Sequence, residues 1–166
     1  RGGWTWLLAL TSALAAYTQQ VSTMLDDPVT GLPGRTEFVA SLDHALSQAR
    51  TTGRALTLML VSPDEFASIN ERFGREAGDE VMREVARRLR AGQRASDPLS
   101  KYGGAIFASV LVDTRLPGGR SVAQKIVRAL GEGAFLAGAV RLGFSAGLAS
   151  YEPGEPEVDS WVDLVR

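Results

Sequence analysis

The chain has 166 residues, with 18 basic and 19 acidic side chains and a formal net charge of −1. That length accommodates one domain with a sizeable core plus an appendage, and the balanced charge excludes the basic footprint of a nucleic-acid-binding protein. The absence of cysteine excludes disulfides, thiolate metal sites and a cysteine nucleophile.

Leu7, Leu10, Leu14, Tyr17, Val21 and Met24 recur at spacings of 3, 4, 3, 4 and 3, the seam of a two-stranded coiled coil. Ala, Thr, Ser and Gln flank the seam, so it lacks charged edges. Two other readings of residues 1–25 stand beside a parallel dimerising stalk. One is a helix packed on its own domain, the other the inner end of a membrane span. The uninterrupted apolar run is too short to cross a bilayer by itself, and Thr5, Thr11 and Ser12 interrupt it. Asp26-Asp27-Pro28 ends the seam, because proline disfavours a helical conformation in the residue before it.

Asp27-Pro-Val-Thr-Gly-Leu-Pro-Gly-Arg35 reads as a tight Thr-Gly turn leading into a helix start. Thr36 to Arg50 carries Phe38, Leu42, Ala45, Leu46 and Ala49 at helical spacing and stops at Gly53. His44 is the only histidine; it falls on the exposed side of that helix and takes no role. Leu56 to Val61 is almost continuously apolar, the pattern of a buried central strand. Glu65–Phe73 and Asp79–Leu89 are predicted helices separated by a turn over Gly74–Gly78. The second buries Val81, Val85, Ala86 and Leu89 and turns Arg83, Arg87, Arg88 and Arg90 towards solvent. Pro98-Leu99 and Ile106–Val112 flank Lys101-Tyr-Gly-Gly104. A Gly-Gly pair between such segments predicts a hairpin with positive φ at both corners, and it lets a ligand approach the backbone closely. Ser121–Leu130 reads as a helix, Val140–Ser150 as a strand and Val158–Arg166 as the start of a last helix.

Lys101-Tyr-Gly-Gly-Ala-Ile-Phe107 is similar to the Arg-Tyr-Gly-Gly-Asp-Glu-Phe signature of the GGDEF domain of diguanylate cyclases. The 27–35 segment is similar to the Asp-x-Leu-Thr-Gly-Leu-x-Asn-Arg stretch that opens such domains, with Gly34 where the family usually has Asn. The resemblance extends from about Asp27 to the end of the chain. It implies an α/β fold of the nucleotidyl-cyclase palm type, with a central, mainly antiparallel sheet flanked by helices. Residues 26–166 would form that domain behind a stalk helix, residues 1–25, and the family's final helix continues beyond Arg166.

Joining two GTP molecules requires charge stabilisation at the α-phosphate, usually from two divalent ions with hard oxygen ligands. In the family those ligands are the signature acid and an Asp that closes the first core strand, within Asp-x-Asp-x-Phe-Lys-x-x-Asn-Asp. With Phe66 and Asn70 in register, Ser62 stands at the metal-binding Asp and Ala67 at the phosphate-contacting Lys. Ala105 and Ile106 stand at the two acidic positions of the signature. Asp64 survives, although in the family that second Asp is not the principal ligand. The resemblance therefore implies a cyclase fold without catalytic residues and without a metal site.

Two binding sites remain. Five residues, Pro98 to Tyr102, separate Arg94-Ala-Ser-Asp97 from Gly103, the spacing of the family's Arg-x-x-Asp inhibitory site for cyclic di-GMP. An Arg fork suits guanine O6/N7 or a phosphate, and an Asp suits the guanine Watson–Crick edge. The alternative for the same residues is a plain Arg–Asp surface pair, worth little. Lys125, one of only two lysines, aligns with a second basic contact of the family. Asn70 and Asp79 match the family's guanine-recognising pair, with Gly103 and Gly104 beside them in a vestigial active site that could take GTP. Their alternative is a capping or turn role.

The leading expectation is a non-catalytic cyclic di-GMP receptor, dimeric through its N-terminal helix and coupled to an output domain, with no cofactor and no nucleic-acid partner. A GTP-sensing module controlling an attached phosphodiesterase, and a dimerisation scaffold with vestigial sites, are the alternatives. The resemblance implies a cytoplasmic location, with an inner-membrane tether ahead of Arg1 left open.

Overall fold

The computed structural model describes residues 26–154. The heptad seam of residues 7–24 and the helix start over residues 158–166 lie outside them. Eleven short elements follow the turn over residues 27–33. They are α1 (Arg35–Thr52), β1 (Leu56–Pro63), α2 (Phe66–Phe73), α3 (Arg75–Gly92), β2 (Leu99–Gly103), β3 (Ile106–Val112), α4 (Leu116–Glu132), β4 (Ala134–Phe135), a 3₁₀ turn (Leu136–Gly138), β5 (Val140–Arg141) and β6 (Phe144–Tyr151).

The main sheet has the order β2-β3-β1-β6, and every neighbouring pair is antiparallel. β1 pairs with β3 and β6 at its two edges and packs against helices on both faces, which explains its continuous apolar run. Leu56 and Leu58 face one cluster with Phe38, Leu42 and Leu46 of α1. Met59 and Val61 face the other, with Val81, Val85 and Leu89 of α3 and Ile126 and Leu130 of α4. Strand periodicity thus splits β1 between two helical layers. Among the described residues no helix is long and apolar enough to cross a membrane.

Four boundaries differ from the sequence-based expectation. The hairpin loop is Gly104-Ala105, because Gly103 pairs with Ile106, and of the pair only Gly104 has positive φ, at +51°. The helices before and after Gly74 are separated by that residue alone. Arg75–Gly78 is the first turn of α3, closed by Gly78 N–H donating to Gly74 O at 3.2 Å. Its glycine serves packing rather than a turn, since a Cβ on Gly78 would collide with Asn70 Oδ1. α4 begins at Leu116, with Pro117 in its first turn, where a missing N–H costs nothing. The long strand over Val140–Ser150 is two strands: β5 pairs with β4, Leu142-Gly143 intervene, and β6 joins the main sheet.

Candidate functional site

The β1–β3 ladder ends at Val61 opposite Phe107. Ser62 and Ile106 are the next residues beyond that pair, and Ala105 is the second loop residue. The fold therefore brings Ser62, Ala105 and Ile106 together at one end of β1 and β3. Ile106 is 38% exposed, unusual for a large apolar side chain among the described residues. Ala105 packs against the α3–α4 core cluster, and the Ser62 hydroxyl donates to Pro63 O at 3.4 Å. The Asp64 carboxylate leans on β6: Ser145 Oγ donates to its Oδ1 at 2.7 Å, and a Cβ on Gly143 would stand 2.7 Å from its Oδ2. These residues do not fit a pair of divalent ions, which need several hard oxygens from carboxylates. Among the described residues no three acidic or histidine side chains group as a metal site.

The guanine candidates lie on the two helices that follow β1. Asn70 is near the end of α2, with its side-chain oxygen against Gly78. Asp79 follows Gly78 in α3, half-buried. Neither caps a helix: the N-caps of α2 and α3 are Glu65 and Gly74, without a side-chain cap bond. Gly103 and Gly104 are exposed, and space is open where a Cβ would stand on either. Lys101, which the motif reading left without a role, is the cation here. Its ammonium donates to Gly104 O and sits 5.7 Å from the Phe107 ring centroid. Burial pushes it below the usual lysine range, while Asp27 and Asp79 act in the opposite direction.

The second centre is the turn at Arg94–Asp97, closed by Asp97 N–H donating to Arg94 O at 3.0 Å. Arg94 forks onto the Asp97 carboxylate with Nε–Oδ2 at 3.0 Å and Nη2–Oδ1 at 3.2 Å. Its Nη2 also donates to Val112 O at 2.7 Å and Thr114 Oγ1 at 3.1 Å. Val112 N–H donates back to Asp97 Oδ1 at 3.2 Å. Asp97 is 2% exposed, whereas the Arg94 side chain is 56% exposed. The surface-pair alternative thus needs correcting in one respect: the acid is a buried one that ties the turn to the end of β3. Arg94 and Asp97 line a groove of about 540 Å³ together with Gln93, Arg115, Gly118 and Val122. Lys125, further along α4, lines a different groove with Ser121, Gln124 and Arg128. Asp113 and Arg115 are charged groove residues that motif reading missed; nothing in the sequence neighbourhood of Arg115 marks it, because only the packing of α4 brings it beside Arg94.

An antiparallel four-stranded sheet of order β2-β3-β1-β6, with a Gly-Gly hairpin between its first two strands and helices against it, defines the fold class. The chain belongs to the diguanylate cyclase, GGDEF domain family, whose model matches residues 24–165. It is 37% identical over 100 residues to the response regulator PleD of Caulobacter vibrioides, covering 60% of this chain and 22% of PleD. It is 32% identical over 133 residues to the diguanylate cyclase DgcP of Pseudomonas aeruginosa, covering 79% of this chain and 20% of DgcP. The chain thus spans about a fifth of the length of these relatives. Among solved structures, the coiled coil and GGDEF domain of DgcB from Caulobacter crescentus, crystallised with c-di-GMP, has the same fold. The TM-score is 0.78 at 24% identity, covering 93% of this chain and 86% of that one.

Proposed function

We propose that this chain is a non-catalytic receptor domain for cyclic di-GMP, which acts on a stalk-linked dimer or an attached output domain. The observation that carries the reading is the contrast between its two centres. The sheet edge holds Ser62, Ala105 and Ile106 where catalysis requires carboxylates, while the turn at Arg94–Asp97 keeps its charged pair on an open groove. The relatives PleD and DgcP share the family, and DgcB was solved with c-di-GMP bound; their likeness supports the ligand class. Arg94 would fork onto a guanine edge or a phosphate. Asp97 would accept from guanine only after exchanging part of its present bonding to Arg94 and Val112. Lys125, off the groove, would serve as a weaker, longer-range cation.

GTP sensing is the second reading, and Asn70 and Asp79 favour it, since neither side chain is used as a helix cap and the hairpin glycines leave open space for a ligand. One titration separates the readings: calorimetry of cyclic di-GMP and of GTP against the wild type, Arg94→Ala and Asn70→Ala. Cyclic di-GMP is expected to bind, and Arg94→Ala to weaken it about tenfold to a hundredfold, the scale of a charge-assisted contact. Asn70→Ala should leave that affinity alone. No binding by the wild type at high micromolar ligand, or a larger loss from Asn70→Ala than from Arg94→Ala, overturns the receptor reading.

A further inference from the structure

Arg115, which lines the groove of Arg94 together with Asp113, also forms a charged pair with Glu152 that belongs to no motif. Arg115 is the N-cap of α4, and its side chain is 75% exposed. Its Nη1 lies 3.3 Å from Glu152 Oε2, and Leu116 N–H, the first amide of α4, donates to Glu152 Oε1 at 3.2 Å. Glu152 comes from the far end of the chain, one residue past the end of β6. Its carboxylate takes the position that an arginine and the positive end of a 17-residue helix jointly prepare for an anion. Arg94 reaches towards the same place, since its Nη2 donates to Thr114, the residue before Arg115. Gln93 lines the groove as well. Its Oε1 accepts from Ser109 at 2.7 Å, while its Nε2 is buried without a hydrogen bond.

We propose that Glu152 is a built-in competitor for the phosphate-bearing ligand of this groove, and that Arg115 is the second cation which that ligand engages. The inference rests on the receptor reading above, and it deepens that reading by adding a residue and a means of regulation. A phosphodiester carries two non-bridging oxygens with charge comparable to a carboxylate. On entering the groove it replaces Glu152 at Arg115 and at Leu116 N–H, while Arg94 takes the adjoining guanine or phosphate. The exchange costs little, because one anion replaces another on the same donors. Its consequence is mechanical: the end of β6 loses its tie to α4, and occupancy of the groove is passed to the chain that follows β6.

The test is calorimetry with cyclic di-GMP on the wild type, Arg94→Ala, Arg115→Ala, Lys125→Ala and Glu152→Gln, with the Leu116 amide resonance followed by NMR in the wild type. Removing the competitor should tighten binding roughly twofold to fivefold in Glu152→Gln, the scale of a partly exposed ion pair. Arg115→Ala should weaken it about fivefold to tenfold, more than Lys125→Ala does. The Leu116 resonance should move on saturation. Binding seen only in Glu152→Gln supports the proposal, since it means the competitor holds the wild-type groove shut. Binding that needs Arg94 but is indifferent to Arg115 and Glu152, or an unmoved Leu116 resonance, overturns the competitor and leaves the receptor reading intact. No binding to the wild type and none to Glu152→Gln overturns both.

Discussion

The hairpin edge and the turn at Arg94–Asp97 carry charge differently: Ser62, Ala105 and Ile106 at the first are uncharged, whereas the second holds a bonded Arg–Asp pair. Their bonding shows why they can differ. At the hairpin edge, Ser62 and Ile106 lie at strand ends and Ala105 in the loop between strands, and the backbone pairing beside them continues whatever the side chains are. A carboxylate there would serve only a ligand, so its replacement leaves the sheet intact. Asp97, in contrast, is buried and satisfies Arg94 and a backbone N–H of β3. Its loss would strand a donor in the interior. One centre is decoration on a finished fold, whereas the other is part of the fold.

The largest effect that can break this comparison is therefore expected at Asp97. Asp97→Ala should cost about 2 kcal/mol in urea denaturation, because it leaves the Val112 amide and Arg94 Nε without their acceptor while Arg94 Nη2 keeps Val112 O and Thr114 Oγ1. A cost below about 1 kcal/mol would mean that the pair behaves as an ordinary surface pair. Arg94→Ala should be milder in stability, since the guanidinium is more than half exposed, while still harming ligand affinity. That split between stability and affinity identifies which partner belongs to the fold and which to the groove.

A charged cluster away from both centres supplies a structural control. Glu84 on α3 accepts from Arg87 Nη2 and Arg88 Nε, each at 2.7 Å. The bonds from Arg87, then Arg88, outweigh burial and pull its carboxyl from an ordinary 4.5 down to about 2. The folded value is the lower one, so the stabilisation is fully present above pH 4.5 and is lost as pH falls towards 2. Glu84→Gln should be less stable than the wild type at neutral pH, with the gap closing between pH 4.5 and about 2 in acid denaturation. A gap that persists at the acid end would show that packing, not charge, holds this cluster.

The smallest effect belongs to the hairpin edge. Ser62→Asp with Ala105→Asp should shift stability by no more than about 1 kcal/mol in the same denaturation experiment. The double variant, like the wild type, should give no cyclic di-GMP from GTP with Mg²⁺ or Mn²⁺, since Ala67 and Ile106 remain without charge. Product from the wild type above a no-enzyme control would refute the alignment of Ser62 and Ala105 with the catalytic carboxylates.

Much of the fold was legible in the residues, for local reasons. α1 was readable from Phe38, Leu42 and Leu46 and from Gly53, which does take the left-handed conformation, at φ +64°. β1 was readable because a strand buried on both faces has no polar alternation to hide it. The hairpin was readable too, but not its register: Gly103 and Gly104 are chemically alike, and only the pairing of Gly103 with Ile106 places the loop one residue later. Gly78 was misread as a turn residue because composition cannot tell a glycine that bends the chain from one that admits a neighbour, here Asn70.

The sequence by itself determined which chemical groups are available: an Arg-x-x-Asp turn at a fixed distance from a Gly-Gly hairpin, and Ser62, Ala105 and Ile106 with no carboxylate among them. Those are questions of residue identity and short spacing, which local chain geometry converts directly into position. Only the tertiary structure decided how the charges are used. It closed Arg94 onto Asp97 and Val112, turned Lys125 into a separate groove, and brought Glu152 across 36 residues to the first amide of α4. Such pairings depend on which surfaces the core forces together, and no spacing along the chain records them.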